Sequence, residues 1–477
     1  MRSERWIALT LALIVLGSLP LRIHGWFPGG NENNDASIYI LCAQSLLQGE
    51  GYSYLGEPFS VRPPGFSLLI APILAWRGVD FLALHTLIAL LGAGAVWAFF
   101  VWLKPQVGSV IAALGALGLH FHPSWTEWSS QVMSDVPGVL AILGGLLVDR
   151  WVRAKPGLLR ESALGLFLGL SALLRSTQLI LLAAILLARL LERRSDARRR
   201  CAALAATALL AIGPWMVRDA SVRSDQPALQ NHVHSYATGL LRADPGDPHS
   251  PPRDWSQVLS QTVPERLQLL TAELGSLLQS EQLTFWSLLS GAAVLLALGW
   301  RAWRDREAAW LFALLYLGVL LVYFGWRSRL VLPLLPLSIA AVLLCLRSAP
   351  WRATLALALL AVGLLLSPGG QEREQLRELD QRRRIQLEAW DRVLPTAARC
   401  AALIGWHHSM GLGRPVYSLA FALRRGQKLD ELLQQHRVGF ILVGPEPGEQ
   451  ALLPQLRQRF GPGQPAGEGC VFPVDAR

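Results

Sequence analysis

Carboxylate and guanidinium side chains recur where the apolar segments of this chain end. A carboxylate within hydrogen-bond reach of a hydroxyl group can take its proton as a general base. Arginines offer forked donors that match phosphate oxygens. Charged groups near the lipid boundary are costly, so they are functional candidates by default. The set consists of Asp35, Arg62, Glu127, Asp135, Arg175, Arg218, Arg327 and Arg329.

Each member of this set also has a purely structural interpretation. Asp35 and Asp135 each stand at the start of a predicted helix, and Asp is among the best N-cap residues. Arg327 and Arg329 can extend along apolar surface to lipid head groups. Glu127 fits a solvated loop. Function is favoured because six separate segments bring these charges to one predicted face of a membrane.

The composition is that of a polytopic membrane protein. Of 477 residues, 52% are hydrophobic and only 16% are charged. A soluble protein of this length is rarely so apolar. The net charge of +10 falls in short basic clusters between apolar runs, which the positive-inside rule explains better than nucleic-acid binding. We therefore expect the lipid bilayer, and no nucleic acid, as a partner.

A spanning helix needs about 20 apolar residues, and about eleven segments of the sequence can serve. Arg2 and Arg5 precede the first segment and predict a cytoplasmic N-terminus. Arg22 and His24 replace the small residues of a cleavage site, which favours a retained helix over a signal peptide. The segments are approximately 6–23, 81–103, 106–121, 133–152, 161–174, 177–191, 201–217, 284–303, 308–326, 329–347 and 351–367.

The charge pattern also predicts the course of residues 161–191, which could form one long helix or a tight hairpin. The flanking loops are both strongly basic and should both be cytoplasmic. An even number of crossings is then required, so Arg175 should lie at the outer tip of a hairpin of two short helices. The same argument predicts that Arg327 and Arg329 face outside.

Eleven crossings leave every long polar segment on the outer face. We expect two domains. Residues 1–367 should form a membrane domain with external loops 24–80 and 218–283, and residues 368–477 should form an extracytoplasmic domain. In the second domain short apolar runs alternate with helical patterns, which is typical of a small α/β fold.

The first external loop should carry two helices on the bilayer surface. From Asp35 the apolar residues recur at helical spacing, and Gly49-Glu50-Gly51 should end that helix. A second apolar stretch at 67–76 follows the turn-rich VRPPGF. Residues 263–278 of the second external loop show a similar amphipathic stripe.

The five cysteines of the chain show no spacing typical of a zinc site. Cys400 and Cys470 both fall in the domain predicted to lie outside the cell, where disulfides form. A bond between them is a hypothesis. His407 and His408 have no acidic neighbour in the sequence and are interpreted as surface residues.

Five stretches, in order, resemble integral-membrane glycosyltransferases of the GT-C superfamily. Within it, the chain is most similar to the bacterial protein mannosyltransferases and to the aminoarabinose transferases that modify lipid A. The similarity spans residues 6–347, and the tail resembles the extracytoplasmic domain of many bacterial members. The stretches are NNDASIYILCAQSLLQGEGYSY, RPPGFSLLIAP, MSDVPGVLAIL, GPWMVRD and RSRLVLPLLPL.

The resemblance implies an inverting transfer at the outer face of the bacterial cytoplasmic membrane. The donor would be a sugar on a polyprenyl phosphate, and the acceptor a hydroxyl group of a lipid, glycan or protein. The family's essential first-loop Asp corresponds to Asp35, the expected base. Its second acid corresponds to Asp135, with Glu127 as the other candidate. The family's Arg-Tyr pair is Arg329-Leu330 here, so the arginine carries over and the tyrosine does not.

Positive charge must stabilise the departing lipid phosphate. A divalent cation held by Asp35 and Asp135 would also satisfy two acids, and family members differ on metal dependence, so the resemblance leaves this open. The arginines expected at the donor phosphate are Arg329, Arg327, Arg175 and Arg218, and the other substrate-site candidates are Arg62, Glu127 and Tyr52.

Two other functions stay open on the sequence. A transporter or flippase for a lipid-linked saccharide would also need external arginines, but it predicts charged or broken helices at mid-membrane, and there are few. A lipid-linked oligosaccharide polymerase or ligase shares the donor type and the large external loops. A purely structural membrane protein would leave the outer arginines unexplained.

Overall fold

Long helices form the body of the chain and a small sheet forms its C-terminal part. The fold is taken from a computed structural model. It describes residues 2–25, 34–192, 194–225, 242–243, 251–275, 285–323, 328–345, 370–396, 398–403, 408, 412, 416–419, 429–435, 437–445 and 447–474.

The helical body begins with one long helix and continues through further helices and two long connecting segments. A two-stranded hairpin, β1 (Ser53–Tyr54) and β2 (Glu57–Pro58), lies between the second and third helices. A π turn at Val258–Thr262 joins α11 to α12, and a 3-10 turn at Ser328–Val331 precedes α15. The helices are α1 (Arg2–Gly25), α2 (Asn34–Leu47), α3 (Gly65–Arg77), α4 (Phe81–Val107), α5 (Ser109–Phe121), α6 (Pro123–Trp128), α7 (Asp135–Ala154), α8 (Leu158–Leu174), α9 (Gln178–Leu191), α10 (Ala197–Asp225), α11 (Trp255–Gln257), α12 (Val263–Gly275), α13 (Phe285–Asp305), α14 (Ala308–Val322) and α15 (Leu335–Cys345).

Ten of the eleven predicted membrane segments coincide with described helices. The eleventh, 351–367, lies outside the described residues. By length and composition, two helical stretches of the described part are long and apolar enough to cross a membrane, Phe81–Val107 and Ala197–Val222. The total of eleven crossings therefore stays a prediction.

Large apolar side chains point outward from the helical body. Trp6, Leu210, Leu296 and Trp303 are 68%, 75%, 74% and 75% exposed. Soluble monomers rarely expose apolar surface on this scale, and such patches mark contacts with lipid or protein. This surface is that of a membrane protein.

The two helices expected in the first external loop are present as α2 and α3. α2 ends at Leu47, and Gly49 and Gly51 follow with φ of +80° and +74°, a conformation that favours glycine. The two helices pack on each other. The Ser67 hydroxyl of α3 donates to the Tyr39 carbonyl of α2 at 3.0 Å.

The predicted hairpin around Arg175 is confirmed. α8 ends at Leu174 and α9 begins at Gln178, so Arg175 lies in the turn. At the opposite end of these helices, a largely buried cluster of three acids and three arginines connects α7, α8, α9 and α10. The guanidinium of Arg189 lies 2.9 Å from Glu161 and 2.6 Å from Asp149, and Arg200 of α10 also contacts Glu161. We call this group the basal ion-pair cluster, and it consists of Asp149, Arg153, Glu161, Arg189, Glu192 and Arg200.

The amphipathic helix of the second external loop, α12, packs along α13 instead of lying alone on the bilayer surface. The two backbones approach so closely that a Cβ atom on Gly291 would lie 1.7 Å from the Thr271 carbonyl oxygen. α12 also contacts the 3-10 turn that carries Arg329. The loop therefore helps to fix the position of that turn.

The small C-terminal α/β domain is confirmed as a five-stranded mixed sheet of order β4-β3-β5-β7-β6. Leu55, at the tip of the β1–β2 hairpin, packs against its core in spite of a φ of +54°. The domain's elements are α16 (Gly370–Val393), β3 (Cys400–Ala402), β4 (Val416–Ser418), α17 (Leu429–Gln435), β5 (Phe440–Val443), α18 (Pro447–Gln450), α19 (Leu453–Phe460), β6 (Gln464–Ala466) and β7 (Gly469–Pro473).

The disulfide hypothesis is wrong, because Cys400 and Cys470 are both free. Cys400 lies on β3 and Cys470 on β7, with β5 between them. Two strand spacings amount to about 10 Å, beyond the roughly 7 Å that a disulfide spans between Cα atoms. His408 is likewise not a simple surface residue, since its ring lies 3.7 Å from Glu449 and packs edge-on against Trp390.

Candidate functional site

Asp35 lies between two of the candidate arginines. It is the second residue of α2, and its carboxylate lies 2.7 Å from Arg329 Nη2 and 3.5 Å from Arg62 Nη2. The three side chains are 15%, 16% and 9% exposed, so they form a nearly enclosed ion pair with one acid and two guanidinium groups. Arg329 faces inward to this acid, which argues against simple snorkelling.

Burial and charge act in opposite directions on the pKa of Asp35. Burial raises the pKa, but the charges of Arg62 and Arg329 prevail and hold it at about 2. Asp35 is therefore ionised throughout the physiological range.

Asp135 forms the second acidic group of the site and is the first residue of α7. Its fully buried carboxylate lies 2.9 Å from Arg175 Nη2. Among the described residues, its oxygens accept no backbone N–H hydrogen bond, so it does not serve as a helix cap. The Arg175 side chain packs directly on α7 at Gly138. A Cβ atom added to Gly138 would lie only 2.8 Å from Cδ of Arg175.

Hydrogen bonds connect the Asp135–Arg175 pair to the helix that carries Asp35. Arg175 Nη1 donates to the Ser134 hydroxyl at 3.2 Å, and that hydroxyl is 3.1 Å from the hydroxyl of Tyr39, one turn after Asp35 on α2. The charge of Arg329 also interacts with Asp135. Two acids and three arginines from five segments thus form one electrostatic unit, which consists of Asp35, Asp135, Arg329, Arg175 and Arg62.

Several residues of the site are not evident from the sequence. The Arg329 guanidinium carbon lies 5.8 Å from the centre of the Trp128 ring, and Arg329 Nη1 is 3.7 Å from Met133 Sδ. An indole face stabilises a guanidinium group placed over it. The helical spacing of Tyr39 from Asp35, and the position of Ser134 beside Asp135, were signals that could have indicated those two residues.

Arg218 and Tyr52 do not join this unit. Arg218 donates to the carbonyl oxygens of Phe59 and Tyr52 at 2.6 and 2.7 Å and lies over the rings of Tyr52 and Trp215. The Tyr52 hydroxyl donates to the Pro63 carbonyl at 3.3 Å. Two N–H donors of Arg218 thus hold the loop that leads to Arg62, and a phosphate contact at Arg218 stays a prediction.

Glu127 and Arg327 are the remaining candidate residues. Glu127 is half-buried on α6, and the Ser130 hydroxyl donates to its carbonyl oxygen at 2.9 Å. Of the two candidates for the second acid, Asp135 is the one that pairs with Arg175. Arg327 lies outside the described residues.

The residues present do not fit a divalent cation between Asp35 and Asp135. Each carboxylate is paired with arginine, and a guanidinium charge repels a metal ion. Among the described residues, no group of three or more His, Cys, Asp or Glu side chains could hold a metal. No step is therefore assigned to a metal.

Arg218→Leu is expected to loosen the first external loop. It removes two hydrogen bonds from a charged donor, each worth about 1.5–3 kcal/mol. Limited proteolysis should then cut residues 48–64 faster than in the wild type. Arg329→Ala serves as the control, with unchanged proteolysis of this loop. Unchanged cleavage in Arg218→Leu would contradict the assignment of Arg218 to the loop.

Arg62→Gln is expected to move the acid limb of the pH profile to higher pH. Asp35 must be ionised to accept a proton, and its pKa of about 2 keeps it so in the wild type. Removing a neighbouring positive charge raises that pKa, so activity should be lost earlier as the pH falls. Profiles of kcat/KM against pH for both proteins test this, with Arg77→Gln as the control. Superimposable acid limbs would contradict the coupling.

Comparison with known proteins supports the same fold. The family model described as dolichyl-phosphate-mannose-protein mannosyltransferase matches residues 61–217. ArnT from Cupriavidus metallidurans, bound to undecaprenyl phosphate, aligns with a TM-score of 0.61 at 13% identity, covering 98% of each chain. Its apo structure aligns with a TM-score of 0.62 at 14% identity, covering 99% of this chain and 98% of that one. The chain has the GT-C fold.

The GT-C resemblance expected from the sequence is thereby confirmed. The oligosaccharyltransferase of Archaeoglobus fulgidus, in its apo form, also aligns with this chain. Its TM-score is 0.54 at 12% identity, with 92% of this chain and 69% of that chain covered. No curated protein shows significant sequence similarity to the chain.

Proposed function

We propose that this GT-C chain is an inverting glycosyltransferase that moves a sugar from a polyprenyl-phosphate donor to an acceptor hydroxyl. The proposal is based on one observation: Arg329 and Arg62 form salt bridges with Asp35, next to the Asp135–Arg175 pair. A base and an anion-binding group are thus in contact before substrate arrives. The similar ArnT structure with bound undecaprenyl phosphate supports a donor of this class.

Asp35 acts as the general base. It takes the proton of the acceptor hydroxyl while that oxygen forms a bond to the anomeric carbon. The bond from that carbon to the lipid phosphate breaks at the same time, and the phosphate leaves with the electron pair. A single displacement of this kind inverts the anomeric centre.

Donor binding would also activate the base. A carboxylate with a pKa of about 2 is a weak base in the resting site. The donor phosphate competes for the guanidinium of Arg329. Asp35 then loses part of its charge partner, which raises its pKa and its basicity. The base gains strength only when donor is present, so the two steps are linked.

The Asp135–Arg175 pair positions the other components. Arg175 is the third positive charge near the leaving phosphate, and through Ser134 it touches Tyr39 on the helix that carries Asp35. Charges fixed before the reaction stabilise a departing anion without further reorganisation. Asp135 keeps Arg175 in that place.

The cellular arrangement follows the charge pattern of the sequence. We place the site on the outer face of a bacterial cytoplasmic membrane, with the N-terminus inside and residues 368–477 outside. The membrane domain is 1–367. Leu55 joins the C-terminal domain to the first external loop, so the acceptor, whether lipid, glycan or protein, would approach from the aqueous side between them.

The test is incubation of purified protein in vesicles with labelled polyprenyl-phosphate sugars and, in parallel, labelled nucleotide sugars. The proposal predicts that label leaves the lipid donor and that polyprenyl phosphate accumulates. Label that crosses the bilayer on an intact lipid would indicate a flippase. Growth of the sugar chain on the lipid would indicate a polymerase. Consumption of nucleotide sugars alone would contradict the proposal.

A further inference from the structure

A polar cavity lies at the opposite end of α7 from the acidic site. It has a volume of about 260 Å³ and lies between the ends of α4 and α7 and the start of α14. Drug-sized ligands occupy pockets of about 300–1,000 Å³, so this cavity suits a smaller group. Its lining includes Trp102, Gln106, Asp149, Arg150, Arg153 and Glu307.

Two of the four charges in the cavity are already neutralised. Arg153 lies 3.0 Å from Asp149, and both belong to the basal ion-pair cluster. Among the residues that the structure describes, Arg150 and Glu307 form no ion pair. Arg150 lies over the Trp102 ring at 5.8 Å. Arg150 and Glu307 attract each other through space, and Glu307 also interacts with Arg153 and Arg301. Since neither forms a direct salt bridge among the described residues, the cavity presents one positive and one negative group to a ligand.

The cavity lies far from the acidic site along α7. Arg150 follows Asp135 by fifteen positions of one helix, which corresponds to about 22 Å at 1.5 Å per residue. The hydrocarbon core of a bilayer is about 30 Å thick. Trp102 and Trp151 lie near this end of the helices, and tryptophans concentrate at the membrane interface. The cavity thus lies at the end of the helices opposite the acidic site, beside tryptophans of the kind that favour the membrane interface.

We propose that this cavity binds a phospholipid head group that carries both a phosphate and a primary ammonium group. The phosphate contacts Arg150, and the ammonium contacts Glu307. A head group with phosphate alone places an anion beside the Glu307 carboxylate and gives that carboxylate no new donor, which is unfavourable. A quaternary ammonium cannot donate a hydrogen bond to this carboxylate. The site therefore selects phosphatidylethanolamine over phosphatidylglycerol and phosphatidylcholine.

Native mass spectrometry of the delipidated full chain tests this with three lipids of identical acyl chains. The wild type is expected to retain phosphatidylethanolamine about tenfold better than the other two, the effect of one charge-assisted hydrogen bond. Glu307→Gln should remove this preference. Arg150→Gln should weaken retention of both phosphatidylethanolamine and phosphatidylglycerol.

Arg160→Gln is the matched control, because Arg160 lies over Trp151 at 4.3 Å but does not line the cavity. Its lipid preference should equal that of the wild type. Glycerophosphoethanolamine and inorganic phosphate are added as soluble competitors. Displacement by the first and not by the second is expected. Equal retention of the lipids by the wild type, or a preference that survives in Glu307→Gln, overturns the proposal even if Arg150→Gln does not fold.

Discussion

Asp35→Asn is expected to lower kcat by about a thousandfold, within the range of a lost general base. The amide cannot accept the acceptor's proton, and it also leaves Arg329 and Arg62 without their carboxylate. Donor affinity should change far less than kcat, because both guanidinium groups stay available for phosphate. Steady-state rates with a labelled polyprenyl-phosphate sugar, together with donor KM, measure the two effects separately.

Two variants separate chemistry from folding in this experiment. Asp35→Glu keeps the charge but displaces the carboxylate by one methylene group, so it should fold and still lose most of its turnover. Asp305→Asn breaks a similar ion pair, 2.5 Å from Arg301, far from the site. Its turnover should equal that of the wild type. Full activity in folded Asp35→Asn would remove Asp35 from the mechanism.

Arg329→Ala is expected to raise the donor KM by roughly 10- to 100-fold, the value of a charge-assisted hydrogen bond to phosphate. Its guanidinium is held by Asp35 at 2.7 Å and by the Trp128 ring, so it is already in place when donor binds. Arg329→Lys should recover only part of the loss, because an ammonium group lacks the planar fork. KM for a short-chain polyprenyl-phosphate sugar is the measurement.

Arg77→Ala is the matched control for Arg329→Ala. Arg77 also pairs with an aspartate, at 2.6 Å from Asp80, and lies over a tryptophan ring at 5.3 Å, but it is exposed at the end of α3. Its removal should leave the donor KM unchanged. An equal rise of KM in both variants would show that the effect of Arg329 is not specific to donor binding.

The acids and arginines of the site could be predicted because each lies at a helix boundary that the sequence marks clearly. Asp35 opens an amphipathic helix, and Arg175 interrupts an apolar run flanked by basic loops. Hydropathy and charge therefore predict that both lie at the outer face. Their convergence could only be inferred, since Asp35 and Arg329 are 294 positions apart.

The contact partners of individual side chains could not be predicted from the sequence, because they depend on packing between distant segments. Nothing in the stretch GPWMVRD shows whether its arginine binds phosphate or donates to backbone carbonyl groups. Arg218 takes the second role only because the first external loop folds onto α10. Cys400 and Cys470 similarly seemed compatible with a bond until the strand order placed β5 between them.

We expect the phosphate of a polyprenyl donor to lie against Arg329, next to Asp35. Photo-crosslinking tests it most directly, using a polyprenyl phosphate with a photoreactive group on the isoprene unit next to the phosphate. Mass spectrometry of the labelled peptides should identify residues 34–62, 128–135 and 328–335. Labelling should be retained in Asp35→Asn and strongly reduced in Arg329→Ala at a donor concentration below the wild-type KM. Labelling confined to other segments, or unaffected by Arg329→Ala, would show that the donor phosphate does not lie at Arg329.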